Sequence, residues 1–495
     1  MTTMTKKTAS PSLRSALLPL LAALVLAGCA SPPVVDTAAL AAAPARFKEQ
    51  AAPAATATTT ATTAGSAQWT QAPPAEAQPR GTWWRAFGDP VLDGLVERAG
   101  AQNTSIQEAA ARLAQARALV RSANADRLPQ VSISGGAVRQ AGANTVNGPT
   151  PATITSAGAN LSYELDLFGR LAGVRDAAAL DADARAALLQ STRLLVQADT
   201  AQTYLALRAV DAERALVRDT VQAYGGTLQL TQRRFEAGDL AELDVVRIQT
   251  EAAATEAEAL ALDRRRAELE HALAVLVGDA ASDFSLPADA AGWSVALPTI
   301  PAGVPGTVLA RRPDVSAAQA TLLAAQARVG VAQTAWFPSV SLTAGGGFAS
   351  PEIGDLFRWS ARAWSLGALA SLPIFDGGRR QAGVDSANAQ FDAATAGYRG
   401  QVLGAFRDVE DQLSALRLLA EQAQVQDRAV TSARRATTLS DSRWRNGLVS
   451  QLDLLDARRT ELRNRRIALQ VQAARYQSTV GLVRALGGGW DTPAS

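Results

Sequence analysis

Few side chains in this 495-residue sequence could support covalent or metal chemistry. The chain has one histidine, His271, and one cysteine, Cys29. A zinc, haem or iron–sulfur site needs a set of such ligands, and a disulfide within the chain needs two cysteines. His271 lies in a helical stretch beside Leu273, which is typical of a packed or solvated histidine. The sequence therefore predicts no metal, no cofactor and no catalytic site, and it argues against an enzyme.

One acidic pair has a spacing that could matter for function. Asp453 and Asp456 follow the turn signal Asn446-Gly447 and lie three positions apart in a helical pattern. Residues with that separation face the same side of a helix, so their negative charges would be neighbours. Both carboxylates could be solvated and paired with Arg458 or Arg459, or they could concentrate charge at one place. The residues alone leave both interpretations open.

The N-terminus has the pattern of an export signal. Three basic residues precede an apolar run over 16–27, which is too short to span a bilayer and is typical of a secretory signal peptide. The run ends in Leu26-Ala27-Gly28-Cys29, which resembles the bacterial lipobox. That resemblance implies cleavage before Cys29 and a lipid on this residue. A single lipidated terminus anchors only modestly, so we expect a second hold on the membrane.

The composition after Cys29 predicts a tether. Residues 29–80 are rich in Ala, Thr and Pro and cannot bury enough apolar area to offset the entropy of ordering, so we expect a flexible segment. The ordered fold should begin near Trp83-Trp84. The formal net charge is only +2, and the arginines are scattered along helical stretches. This predicts solvated helix faces and no nucleic-acid surface.

The ordered part of the chain is a tandem duplication. Arg170 and Arg379 lie 209 positions apart. The same spacing joins further landmarks: Pro129 and Pro338, Gly238 and Gly447, Leu243-Asp244 and Leu452-Asp453, Gly278 and Gly487. Each copy is therefore one structural unit, and the repeat defines the fold.

The repeat sets the domain boundaries that we predict. The chain begins with a signal peptide (1–28) and a lipidated tether (29–80), and it ends with a tail (488–495). The first repeat (81–279) contains a β-hairpin at 129–168 and a helical hairpin at 171–278, and the second repeat (314–487) contains a β-hairpin at 338–376 and a helical hairpin at 378–486. A connector with a small mixed subdomain (280–313) joins the two repeats.

Each repeat contains two stretches with the period of two that is typical of strands. Apolar residues such as Val131 and Ile133 alternate with Ser132 and Ser134, and the second copy has the same pattern from Val340 onward. Faces of Ser, Thr, Gly and Asn opposite apolar faces, on strands of about ten residues, fit a membrane β-barrel with a wet interior.

Long proline-free stretches with helical periodicity follow both hairpins. The first runs from about Leu171 to Glu236, roughly 100 Å of helix at 1.5 Å per residue. We expect Gly225-Gly226 to bend or loosen it. The turn signals at Gly238 and Gly447 are each followed by a return helix, which predicts antiparallel coiled-coil hairpins. A first helical run is expected at 92–128.

Four membrane strands cannot close a barrel within one chain, because about eight is the observed minimum. Open sheet edges in lipid leave backbone groups unpaired at a cost of several kcal/mol each. The sequence thus predicts an oligomer but does not fix its size.

Several motifs together resemble the TolC-like outer-membrane efflux family, and within it the lipoprotein subgroup similar to OprM and NodT. The matching segments, which span nearly the whole chain after the tether, are 83–90 (WWRAFGDP), 163–170 (YELDLFGR), 311–315 (RRPDV) and 373–379 (PIFDGGR).

The resemblance implies a membrane α+β fold in a homotrimer. A 12-stranded outer-membrane β-barrel, with four strands per chain, would continue into a 12-helix periplasmic α-barrel of coiled-coil hairpins. The protein would be lipid-anchored in the outer membrane of a Gram-negative bacterium and extend into the periplasm. It would serve as the passive exit duct for drugs and small toxic compounds, with a periplasmic adaptor protein and an inner-membrane RND pump as partners.

The resemblance also assigns roles at the hairpin tips. It implies that Asp453 and Asp456 form a periplasmic gate of stacked acidic rings, whereas the first repeat has Asp244 but Arg247 at the equivalent places. The tips would dock the adaptor, through residues Phe235, Gly238, Trp444 and Gly447; the alternative for these residues is simple helix-end chemistry. In TolC itself a basic residue two places after the turn glycine helps to hold the tip shut; here that place is Val449, so the closing contacts must differ.

Two other functions stay open at this point. The chain could be a type I exit duct for secreted polypeptides, or a structural envelope lipoprotein with coiled-coil arms and no pore.

The lipid modification can be tested directly. We expect the mature N-terminal peptide to begin at Cys29 with acyl chains attached, and the Cys29→Ser variant to lack them, because the thiol is the acceptor. Mass spectrometry of both proteins measures this. An unmodified Cys29 in the mature wild-type protein would contradict the prediction.

Overall fold

The computed structural model describes residues 47–49, 81–141, 151–288, 297–298, 300 and 311–488. The predicted signal peptide, Cys29, most of the tether and much of the connector lie outside the described residues. The described residues fall into two compact units. One contains 112–185 and 317–399, and the other contains 47–111, 186–316 and 400–488.

The helices and strands follow the predicted duplication. In chain order they are α1 (Pro90–Gln102), α2 (Thr104–Ala125), β1 (Gln130–Gln140), β2 (Ala152–Leu165), α3 (Arg170–Glu236), α4 (Glu242–Val277), α5 (Pro313–Thr334), β3 (Ser339–Ser350), β4 (Arg362–Ser371), α6 (Arg379–Arg445) and α7 (Gln451–Ala485). A buried 3₁₀ turn at Trp83–Phe87 precedes α1. Among the described residues, no helix combines the length and the apolar character needed to cross a membrane.

The four strands form one antiparallel sheet in the order β1-β2-β3-β4. Its register confirms the two-faced pattern. One row across the sheet is Val131, Leu161, Ala344 and Leu366, and the next row on the opposite face is Ser132, Asn160, Gly345 and Ser365. Directly opposed residues of antiparallel strands share a face, so one side of the sheet is apolar and the other is small and polar.

Glycine permits a close approach of β2 and β3 on the polar face. A Cβ atom on Gly347 would lie 2.3 Å from the carbonyl oxygen of Ala157 and 2.5 Å from Cα of Gly158, its cross-strand partner. A Cβ on Gly346, one residue away on the apolar face, would meet nothing within 4 Å. The two strands therefore pack backbone against backbone at this level.

A carboxylate joins each hairpin to its long helix. Asp166 accepts hydrogen bonds from the backbone N–H groups of Leu171 (3.0 Å) and Ala172 (2.7 Å) at the start of α3. Asp376 accepts from Gly378 (3.1 Å) and Arg380 (3.1 Å) at the start of α6. Because the first N–H groups of a helix lack intrahelical acceptors, these aspartates cap them. The repeated Asp in both motifs thus has a structural reason.

Gly225-Gly226 does not interrupt the helix that contains it. Both α3 and α6 are continuous helices of 67 residues. The flanking Tyr224 and Thr227 are buried, so packing on both sides holds the helix through a pair of glycines that costs about 0.5–1 kcal/mol each.

A single first helix over 92–128 is wrong. Asn103 separates α1 from α2, and its side-chain oxygen accepts from the N–H groups of Ser105 (2.9 Å) and Ile106 (3.3 Å). Its amide donates to the carbonyl of Leu276 (2.9 Å). One asparagine therefore starts α2 and fastens it to α4.

The Arg-Arg-Pro-Asp segment is a buried junction. Arg312 donates to Asp314 (2.7 Å), to Asp408 on α6 (3.2 Å) and to the carbonyl of Ala485 at the end of α7 (3.1 Å). Burial alone would raise the pKa of Asp314, but its hydrogen bonds with Arg312 outweigh this and hold the pKa below its usual value. The junction ties three helices of the second repeat together.

The close strand contact generates a prediction about stability. Gly347→Ala should lower the melting temperature of the detergent-solubilised protein, because the new methyl group would overlap backbone atoms of β2; overpacking of this kind costs about 1–3 kcal/mol. Gly346→Ala is the matched control and should leave the melting temperature nearly unchanged. Calorimetry at one scan rate measures both variants. Equal melting temperatures for the two would contradict the close packing.

Candidate functional site

The two hairpin tips share one turn geometry. At the first tip the N–H of Gly238 donates to Phe235 (2.9 Å) and the N–H of Asp239 donates to Arg234 (2.8 Å). At the second tip Gly447 donates to Trp444 (3.0 Å) and Leu448 donates to Arg443 (2.8 Å). These bonds define Schellman caps, which need a residue with positive φ. Gly238 (82°) and Gly447 (71°) supply it.

The return helices begin differently at the two tips. Ser450 caps α7 through a capping box, in which its hydroxyl accepts from the N–H of Asp453 (3.3 Å) and its own N–H donates to the Asp453 carboxylate (3.1 Å). At the first tip Ala241 occupies the equivalent place and has no side chain that can cap α4. The Ser450-x-x-Asp453 spacing is a sequence signal for such a box, although the prediction for Asp453 from the sequence did not include it.

The capping box separates the two acids of the predicted gate. Asp453 is held by Ser450, whereas Asp456, one turn further along α7, is exposed. In the described part of the chain neither carboxylate lies within ion-pair distance of a basic side chain. At the first tip, by contrast, Arg247 lies 3.8 Å from Asp244. The second tip therefore carries two acidic groups with no counter-charge in direct contact.

The arginines expected to neutralise this pair have other partners. Arg458 donates to Asp441 on α6 (3.1 Å) and to Thr227 on α3 (2.7 Å). Arg459 forms a bidentate pair with Glu251 on α4. The hydrogen bond with Glu251 raises the pKa of Arg459. Neither arginine therefore forms an ion pair with Asp453 or Asp456 in the described part of the chain, although Asp456 is close enough to Arg459 to contribute to its raised pKa.

A small apolar cluster lies behind the tips. Tyr224 of α3, Ile248 of α4 and Leu455 of α7 are buried against one another, with Leu228 and Ala252 at the margin. Burial raises the pKa of Tyr224, with a further contribution from Glu251, so its phenol stays neutral. Because Leu455 directly precedes Asp456, this cluster fixes the face of α7 that carries the acids.

The four predicted docking residues have different environments. Phe235 at the first tip is 43% exposed, whereas Trp444 at the second is only 5% exposed. The guanidinium of Arg234 lies 5.3 Å from the centre of the Trp444 ring, within cation–π distance. Trp444 thus packs one tip against the other, and Phe235, Gly238 and Gly447 are the accessible ones.

Among the described residues, no group of three or more His, Cys, Asp or Glu side chains is arranged so that it could hold a metal ion. His271 is exposed on α4.

The chain is similar to known outer-membrane proteins over most of its length. The sequence profile of the outer membrane efflux protein family matches twice, at residues 95–279 and 304–488, again 209 positions apart. The toluene efflux pump outer membrane protein TtgC of Pseudomonas putida is 33% identical over 441 residues, covering 86% of this chain and 90% of TtgC. The pyoverdine export outer membrane protein OpmQ of Pseudomonas aeruginosa is 32% identical over 421 residues, covering 83% and 88%.

A solved structure has the same fold. That of the outer-membrane channel OprN aligns with a TM-score of 0.81 at 30% identity, over 93% of this chain and 100% of the OprN chain. The predicted fold class, with four strands in one sheet and two duplicated helical hairpins, is confirmed. The chain belongs to the outer membrane efflux protein family.

Proposed function

We propose that this protein is the trimeric, passive outer-membrane channel of a tripartite efflux system. The observation that carries the proposal is a sheet of four strands with an apolar face and two edges that have no partner within the described chain. A sheet of this kind is stable in lipid only when copies of the chain join edge to edge. Three copies give twelve strands, within the range of bacterial barrels.

The membrane attachment in this proposal has two parts. Large apolar side chains on the edge strands are strongly exposed in the single chain, among them Ile133, Trp364 and Leu366. In the barrel they face lipid. The acyl chains on Cys29 provide the second hold, which fits a protein that one lipid group alone would anchor weakly.

The proposed cargo is small organic molecules. TtgC is named for toluene efflux and OpmQ for pyoverdine export, and neither name refers to a polypeptide. This favours drug and solvent efflux over polypeptide secretion. A structural lipoprotein without a pore is disfavoured, because the polar face of Ser, Asn and Gly residues needs a wet lumen.

The proposed gate is the pair Asp453 and Asp456. In a trimer, each position contributes three carboxylates around a narrow bore. Rings of aspartate favour cations, and crowded ionised carboxylates repel one another. Two features support the assignment: the exposure of Asp456, and the engagement of the nearby arginines by other carboxylates.

The proposed partners dock at the tips. A periplasmic adaptor would contact the exposed Phe235 and the turns at Gly238 and Gly447, and would connect the channel to an inner-membrane pump of the RND type. Trp444 contributes indirectly, because its buried ring and Arg234 hold the two tips together.

Planar-bilayer recording tests both the channel and its gate. The wild-type protein should give stepwise single-channel currents with a preference for cations. The double variant Asp453→Asn and Asp456→Asn should lose most of that preference, because asparagine keeps an acceptor for the Ser450 cap while removing the charge. Asp239→Asn, which removes an exposed tip charge outside the proposed rings, is the control.

The outcomes are distinguishable. The absence of stepwise current in wild-type protein under every gate-opening condition would reject the channel. Unchanged selectivity in the double variant, with normal conductance, would reject only the gate.

The division between packing and docking residues gives a further prediction. Trp444→Ala should increase hydrogen exchange at both tips, over residues 225–245 and 440–456, because removal of a buried Trp side chain costs about 3–5 kcal/mol. Phe235→Ala should leave exchange unchanged and instead weaken binding of the adaptor. Mass-spectrometric exchange of the free protein and a pull-down with the adaptor measure the two effects. Equal exchange in Trp444→Ala and wild type would contradict the packing role.

A further inference from the structure

A short piece of the predicted flexible tether is docked on the folded protein. Phe47 is 1% exposed, and its ring packs edge-on against Phe406 of α6 with the ring centres 6.5 Å apart. The surrounding apolar side chains come from the second repeat and the connector: Val409, Leu413, Leu416, Leu482, Ala485, Leu486 and Ile300. The expectation of a flexible segment over all of 29–80 is therefore wrong at residues 47–49.

Polar contacts fix the two residues that follow. The backbone N–H groups of Lys48 and Glu49 donate to the two carboxylate oxygens of Glu410 on α6, at 2.5 and 3.0 Å. One side chain thus satisfies two consecutive backbone donors. Charge-assisted hydrogen bonds of this type are stronger than neutral ones and specify the path of the backbone.

An ion pair adds a third kind of contact. The Glu49 carboxylate accepts from Arg417 on α6 at 2.9 Å. The hydrogen bond with Glu49 is the largest cause of the raised pKa of Arg417. Glu410 and Arg417 lie seven positions apart, about two helical turns, so they lie on one face of α6 and present opposite charges to the docked segment.

The sequence around this segment makes the docking selective. Phe47 is the one aromatic residue between Cys29 and Trp69, in a stretch dominated by Ala, Thr and Pro. A shift of the segment by one residue would place Arg46 or Lys48 in the apolar site, lose the buried ring and bury a charged group without a partner.

We propose that Phe47, Lys48 and Glu49 form a clasp that fastens the N-terminal segment to its own chain at α6 and divides the tether into two parts. From Cys29 to Phe47 the chain can extend at most about 60 Å, whereas an unfastened tether running to Trp83 could reach about 180 Å. The clasp therefore shortens the reach of the lipid group about threefold. This consequence rests on the proposed lipidation of Cys29; the docking itself does not.

Limited trypsin digestion of the purified full chain tests the docking. A protease must draw the backbone around its target bond into an extended form, so the Lys48–Glu49 bond should be protected while the clasp is closed. In Phe47→Ala we expect cleavage after Lys48 at least tenfold faster than in wild type. Cleavage after Arg80, measured on the same molecules, is the internal reference and should keep its rate.

Two further variants separate the contacts. Glu410→Ala removes the acceptor of both backbone N–H groups and should also accelerate cleavage after Lys48. Arg407→Gln alters an exposed side chain one turn away on α6 and should not, which makes it the matched control. Equal cleavage after Lys48 in wild type, Phe47→Ala and Glu410→Ala would overturn the clasp.

Cross-linking establishes which chain carries the docked segment and does not depend on the folding of Phe47→Ala. In a Glu49→Cys, Arg417→Cys double variant, a short bismaleimide should join the two positions within one chain. The cross-linked protein should therefore still run at the mass of a monomer on a denaturing gel. A cross-linked dimer would overturn the assignment to the same chain. The mass of the peptide containing Cys29 reports lipidation separately, so failure of the anchor and failure of the clasp give different results.

Discussion

The unpaired backbone groups along two strand edges constrain the rest of this molecule. Within the described chain, β1 pairs only with β2, and β4 pairs only with β3. In water those edges would be solvated, but in hydrocarbon each unpaired N–H or C=O group costs several kcal/mol. A barrel made from several copies removes the edges altogether. The duplication is suited to this, because each repeat supplies one hairpin and the pairing of β2 with β3 joins the hairpins into one sheet.

The helices of the two repeats are held together by a ladder of ion pairs. Arg459 pairs with Glu251, and Arg466 pairs with Glu258. Both pairs join α7 to α4, and the two members of each pair are 208 positions apart. The arginines and the glutamates are each spaced by seven residues, which is the repeat of a left-handed coiled coil. A constant offset with that spacing means that the two return helices run parallel and in register.

The sequence allowed much of this architecture to be predicted, because periodicity and internal repetition are local signals. The spacing of 209 located both 67-residue helices, and the alternation of β1 and β2 assigned the two faces of the sheet correctly. Ion pairs between repeats have no such signal. Arginines such as Arg459 read as solvated helix faces, and only the fold shows that Glu251 is opposite. The helix continues through Gly225-Gly226 for the converse reason, since tertiary packing overrode a local preference.

The two hairpin tips are not equivalent, because a few residues differ between the two copies of the repeat. The duplication supplied equal turns, but Ser450 and Ala241 give the return helices different starts. At the first tip Arg247 lies beside Asp244, whereas the equivalent residue at the second tip is Asp456, which adds a second negative charge. In the proposed channel, crowded carboxylates on α7 push the tips apart, while the Arg459–Glu251 pair one turn away holds α7 to α4. Exposed ion pairs contribute about 0.2–1 kcal/mol each, and salt screens charges beyond about 8 Å at physiological ionic strength. In the proposed channel, the Arg459–Glu251 pair therefore adds only a weak hold of α7 on α4, and salt weakens both this attraction and the repulsion between the carboxylates.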